Sequence, residues 1–149
     1  MAELHAIALN CTLKSSDEPS STQKLIDEFL SALRKEGVEG ESVRIADYDI
    51  KAGVTSDEGE GDDWPDMRRK VLDADILILG TPIWLGQPSS VCKRVLERLN
   101  AFISEKDDRS RMPSYGRVAA VAVVGNEDGA HHVSAELYQG LADVGFTIP

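Results

Sequence analysis

The chain has 149 residues, 42% of them hydrophobic, and a formal net charge of −10. That length suits one domain with a buried core, and the negative charge weighs against nucleic acid and anionic membrane surfaces as partners. No apolar run reaches the ~20 residues of a membrane span.

The start, Met1-Ala2-Glu3-Leu4-His5, lacks a basic n-region, so the expectation is a cytoplasmic protein without a secretory signal. Cys11 and Cys92 are far apart and outside any CxxC pair, which fits a reducing compartment and no metal site.

The elements alternate. Leu4–Leu9 reads as a short apolar strand. Ser20-Ser21-Thr22 caps a helix over Gln23–Lys35, with Leu25, Ile26, Phe29, Leu30 and Leu33 on one stripe. Ser42–Ala46 is a second strand. The segment Asp47–Asp66 carries eight carboxylates against the single base Lys51, and it is expected to be a mobile, solvated loop. After Pro65 a helix runs over Asp66–Asp73, and Asp75–Gly80 is the third strand. Its continuous apolar run suits a strand covered on both faces.

A loop rich in Pro, Gly and Trp follows, then a helix over Ser89–Ile103 with Val91, Val95, Leu99 and Phe102 at helical spacing. Val118–Val124 is a fourth strand, His132–Val144 a helix, and Phe146-Thr147-Ile148 the first residues of a fifth strand.

Strands alternating with helices imply a parallel sheet with right-handed crossovers. The expected fold is a single flavodoxin-like domain over 1–149: a doubly wound, three-layer α/β sheet of order 2-1-3-4-5, its last strand incomplete. A fragment, a further tail, or an edge completed by another subunit each account for the end at Pro149.

Ligands of such sheets bind beyond the carboxyl ends of the strands, where the strand order reverses. Three loops meet that condition. The first, Asn10 to Thr22, holds six hydroxyl residues, Cys11 and Lys14 ahead of a helix N-terminus. Unpaired amides and the positive end of the helix dipole favour an anion there. The second, Thr81-Pro82-Ile83-Trp84-Leu85-Gly86, offers an aromatic ring and exposed backbone amides for a flat, polar-edged ring system. The third runs from Val124 through Gly125-Asn126-Glu127-Asp128-Gly129 to His131, with two glycines that permit close approach. Neither a Walker A loop nor a GxGxxG fingerprint is present. No nucleophile elbow or acid pair suggests hydrolysis.

At these loops the chain resembles the NAD(P)H-dependent FMN reductase and quinone reductase group of the flavodoxin-like superfamily. The strongest element is Gly80-Thr81-Pro82-Ile83-Trp84-Leu85-Gly86 before a helix bearing Lys93 and Arg98. Asn10-Cys11-Thr12-Leu13-Lys14 stands where the group has GSxR, with Asn, Cys and Lys for Gly, Ser and Arg, and Ser20-Ser21-Thr22 stands for SxT. The resemblance implies a non-covalent FMN. Cys11, Thr12, Lys14, Ser20, Ser21 and Thr22 are its phosphate loop, and Thr81–Gly86 with Gly125–Gly129 and His131 its ring site. It also implies NADPH or NADH as donor, a quinone or free flavin as acceptor, and a homodimer or homotetramer. The flavin carries the chemistry, so no side chain is named as catalytic. Two alternatives stay open: a flavodoxin-type electron carrier without direct NAD(P)H activity, and a cofactor-less interaction module.

Overall fold

The computed structural model describes residues 3–149. Four parallel strands form the sheet: β1 (His5–Asn10), β2 (Glu39–Arg44), β3 (Ile76–Trp84) and β5 (Val118–Val124), in the order β2-β1-β3-β5. Leu9 pairs with Val43 on one side and Leu79 on the other, and Leu79 with Val121. Thr147 makes a parallel bridge to Val118 at the free edge of β5. The doubly wound arrangement expected from the sequence is thus present, with the fifth strand begun at Thr147.

The two faces of β1 show why helices pack on both sides. Side chains alternate along a strand. Ala6 and Ala8 face α1 (Ser21–Lys35), whose Ile26 and Leu30 join them with Ile78 and Ala122 in one cluster. Ile7, Leu9 and Cys11 face the larger core, built with α2 (Trp64–Asp73), α3 (Ser90–Leu99) and α4 (Ala130–Asp143). The α1 face is lined by small residues because the helix lies close. A Cβ on Gly80 would come within 2.6 Å of Ile26 Cδ1, and one on Gly40 within 2.9 Å of Leu30 Cδ2.

Several boundaries differ from expectation. α1 begins at Ser21 because Ser20 takes the N-cap, its Oγ accepting the Gln23 N–H at 3.1 Å. β2 starts three residues and ends two residues earlier, and Ile45–Asp47 is a 3₁₀ turn. α2 starts at Trp64, with Pro65 in the first turn, where its missing N–H costs nothing. α3 gives way to a 3₁₀ turn over Asn100–Ile103 rather than running through it. α4 starts at Ala130, two residues before His132.

The largest difference is at Gly80. The strand does not end there but continues to Trp84 and turns back as a two-residue strand, β4 (Gln87–Pro88), with Trp84 paired to Gln87 and Ile83 to Pro88. The segment read as a loop is a β-hairpin.

The acidic segment is not solvated throughout. Asp62 and Arg98 form an ion pair with no side-chain exposure. Arg98 also donates to the carbonyls of Lys51 and Thr55, both at 3.0 Å. One arginine of α3 therefore ties down residues 51–62.

Candidate functional site

Three strand ends and one helix start build the site. The first loop leaves β1 at Asn10, whose carboxamide oxygen accepts the Thr12 N–H at 3.0 Å and whose amide donates to Gln23 Oε1 at 2.9 Å. These two bonds bend the loop back toward α1. Arg44 holds it from β2, with Nη1 donating to the carbonyls of Ser15 at 2.6 Å and Glu18 at 2.8 Å. Sequence reasoning missed Arg44. Its signal is positional: it pairs in register with Asn10 at the carboxyl end of the neighbouring strand.

At the start of α1 the N–H groups of Ser21 and Thr22 have no acceptor among the described residues. No carboxylate stands in that first turn. Lys14 projects from the same loop, its Nζ on the Pro19 carbonyl at 3.2 Å. Free amides, hydroxyls, a helix dipole and an ammonium form a donor set for a phosphate.

Beneath the cleft, Thr81 and Ser89 connect three elements. Thr81 Oγ1 accepts the Ser89 N–H at 3.0 Å, and Ser89 Oγ donates to the Cys11 carbonyl at 2.5 Å. Thr81 is fully buried, so its hydroxyl supports the cleft rather than lining it.

The third loop closes the opposite wall. A Cβ on Gly125 would sit 2.8 Å from Ile83 Cβ, so β5 can leave the sheet this close to the hairpin only through glycine. Glu127 Oε1 accepts the Gly86 N–H at 3.0 Å, and Gly129, at φ +125°, packs on the Gly86 backbone.

These parts enclose a cleft of about 390 Å3 lined by Thr12, Lys14, Ser20, Ser21, Thr22, Pro82, Ile83, Trp84, Val124, Gly125 and Asn126. Ten of these are predicted site residues; Val124 was read as the end of a strand and the start of the third loop, not as a binding residue. Trp84 stays half exposed at the rim. Leu85, Gly86, Glu127, Asp128, Gly129 and His131 lie outside the lining. The first two form the hairpin turn, and the other four form the turn into α4 and its first residues.

Cys11 is the clearest correction. Its thiol faces the core, its N–H donates to the Gly80 carbonyl, and its own carbonyl is taken by Ser89. Burial first, then the neighbouring Cys92 thiol, pushes the Cys11 thiol well above its ordinary range. Alternation along β1 carries the reason, since Ile7, Leu9 and Cys11 share one face.

A larger hollow of about 640 Å3 lies along 105–115, the segment leading into β5. Two ion pairs cross it, Arg68 with Glu105 and Arg111 with Asp107, while Arg68 Nε is buried without a hydrogen-bond partner among the described residues. Among the described residues, no helix is long and apolar enough to cross a membrane.

Comparison with known proteins agrees with this geometry. The chain is 43% identical over 150 aligned residues to a Mycobacterium bovis protein named divalent metal cation transporter MntH, covering 98% of this chain and 22% of that protein. It is 39% identical over 155 residues to 8-demethyl-8-aminoriboflavin-5'-phosphate synthase of Streptomyces davaonensis, covering 98% of this chain and 60% of that enzyme. This chain thus spans less than two thirds of either relative. The crystal structure of RosB with bound 8-demethyl-8-formylriboflavin-5'-phosphate matches with a TM-score of 0.88 at 37% identity, covering 98% of this chain and 62% of that one. Residues 6–149 match the family described as NADPH-dependent FMN reductase. By that match, over nearly its whole length, the chain belongs to the NADPH-dependent FMN reductase family.

Proposed function

We propose that this domain binds FMN in the cleft between the first loop, the β3–β4 hairpin and the third loop, and works as a flavin-dependent oxidoreductase. One observation carries the reading. The cleft puts unpaired amides, hydroxyls and Lys14 at one end and the apolar walls Pro82, Ile83 and Trp84 with Gly125 at the other. A phosphorylated flavin needs those two chemistries side by side. The donor set fits it: no carboxylate opposes the phosphate in the first turn of α1, and a cleft of this size falls within the ~300–1,000 Å3 usual for small-ligand sites.

Bound FMN supplies one- and two-electron transfer. The chain's own part is to hold it. Ser21 and Thr22 offer N–H groups to the phosphate, Lys14 neutralises it, and Asn10 and Arg44 keep the loop that carries Lys14 in shape. Ile83 and Trp84 shield one side of the ring from water, and Gly125 lets the third loop pack directly against Ile83 beside it. NADPH or NADH serves as donor in this reading, and a quinone or free flavin as acceptor. A homodimer or homotetramer is part of the same proposal. Exposed Leu13, Trp84 and Leu85 on the site's own loops support it, since oligomers of this kind bury such residues.

The test is anaerobic. Protein loaded with FMN and freed of excess is mixed with NADPH or NADH, and the flavin absorbance is followed. Bleaching by either nucleotide, with reoxidation by a quinone or free flavin, is the expected result. Retained flavin that ignores both nucleotides overturns the reductase reading and favours an electron carrier.

A second reading has its own support. The relatives at 37–39% identity include an enzyme named for a modified riboflavin phosphate and a structure holding one. In that reading the flavin phosphate is the substrate. Mass spectrometry of FMN recovered after incubation separates the two, because a cofactor returns unchanged.

A further inference from the structure

The wall of the cleft that carries Trp84 is a hairpin whose turn does not match its residues. The turn is Leu85-Gly86, with φ of 51° and 73°. Two positive φ angles in a two-residue hairpin loop are those of a type I′ turn, which strongly prefers Asn-Gly or Asp-Gly. Leucine in the left-handed region is uncommon and strained. Leu85 is 93% exposed, so no packing of its side chain offsets that strain. Something else must hold the turn. Two contacts from the third loop do so: Glu127 accepts the Gly86 N–H at 3.0 Å, and Gly129 abuts the Gly86 backbone so closely that a Cβ there would lie 2.7 Å from Gly86 Cα.

We infer that Glu127 is a positioning residue for the flavin ring, acting through the hairpin: its carboxylate clasps the Leu85-Gly86 turn and thereby sets Trp84 and Ile83 against the bound ring. The inference rests on the FMN reading above and assigns Glu127 a role other than direct contact with the ligand. Trp84 and Ile83 line the cleft, whereas Glu127 does not. A strained turn beside a ligand site, held from a separate loop, places the wall before the ligand arrives.

The test uses the whole chain and FMN itself. Glu127→Ala removes the acceptor. FMN titration followed by flavin fluorescence is expected to show binding weakened about five- to tenfold, the range of one ordinary hydrogen bond. Glu127→Gln keeps an oxygen acceptor and is expected to recover most of that loss. The decisive variant is Glu127→Ala combined with Leu85→Asn. An Asn-Gly turn supports itself, so the double variant recovers binding although residue 127 stays alanine.

Amide hydrogen exchange of Gly86 in flavin-free protein reads the clasp independently of FMN, and exchange is expected to quicken in Glu127→Ala. Binding by Glu127→Ala that equals wild type overturns the inference. So does a double variant as weak as Glu127→Ala alone, which would mean that Glu127 touches the ligand. If the wild-type chain takes up no FMN, the functional reading itself fails, and normal Gly86 exchange distinguishes that failure from an unformed clasp.

Discussion

Replacing Asp62 by Asn removes the negative half of a pair with no exposed side-chain surface. The carboxylate accepts Arg98 Nη1 at 3.0 Å and Nη2 at 2.7 Å, and it also takes the N–H groups of Glu58, Lys51 and Trp64. With Asn, Arg98 keeps its carbonyl partners and its place 5.7 Å over the Trp64 ring. Its charge, however, stays buried without a counter-charge, and one amide hydrogen pair points at a guanidinium. Breaking a buried pair in this way costs about 3–5 kcal/mol, against a total stability of about 5–15 kcal/mol for a native domain. The midpoint of thermal unfolding should therefore fall by roughly 10 °C. Urea unfolding followed by tryptophan fluorescence measures the loss of stability, and a thermal scan the midpoint. Combining Asp62→Leu with Arg98→Met removes both charges and should restore much of the loss, since apolar replacement of a buried pair is often near neutral. A loss below about 1 kcal/mol in Asp62→Asn would refute the reasoning, because that is the range of an exposed pair.

The same pair sets an acid limit. Burial raises the Asp62 pKa, but the Arg98 hydrogen bonds and three backbone N–H groups outweigh it and hold the carboxyl well below the usual carboxylate range. A depressed carboxylate stabilises the fold above its unfolded pKa of about 4 and loses that contribution as pH falls toward the folded value. Wild type should thus lose stability below about pH 4, and the double variant that combines Asp62→Leu with Arg98→Met should show a flatter acid limb in urea titrations. Gly80→Ala should cost about 1–3 kcal/mol and weaken FMN binding, because its Cβ meets Ile26 and Thr22 under the phosphate loop; an unchanged urea midpoint would count against the close packing of α1. Ser20→Ala loses the cap to Gln23 and should cost about 1 kcal/mol, visible by circular dichroism as a lower unfolding midpoint. Lys14→Ala should weaken FMN several-fold and leave riboflavin binding untouched in parallel titrations.

Much of this was readable in the residues because apolar periodicity and glycine placement fix strands and helices locally. Val118–Val124 matches its predicted limits, and Ser20 is the cap that serine before a helical stripe suggests, whereas Ser89, read as the first helical residue, is the cap of α3. The hairpin was not readable, since Leu-Gly carries no type I′ signal and Pro82 argues against a strand interior. Asp62 was hidden within a run of carboxylates. Its partner lies 36 positions away on a helix, and only tertiary packing distinguishes it from solvated neighbours such as Asp57 and Glu60. Cys11 was misplaced because its loop position outweighed the alternation that puts it with Ile7 and Leu9.

The most direct test of the central claim is a pair of calorimetric titrations with FMN and riboflavin. The phosphate end of the cleft should make FMN bind on the order of 100-fold more tightly, as expected for two charge-assisted hydrogen bonds. Equal affinity for the two flavins, or no binding of either, would contradict the account.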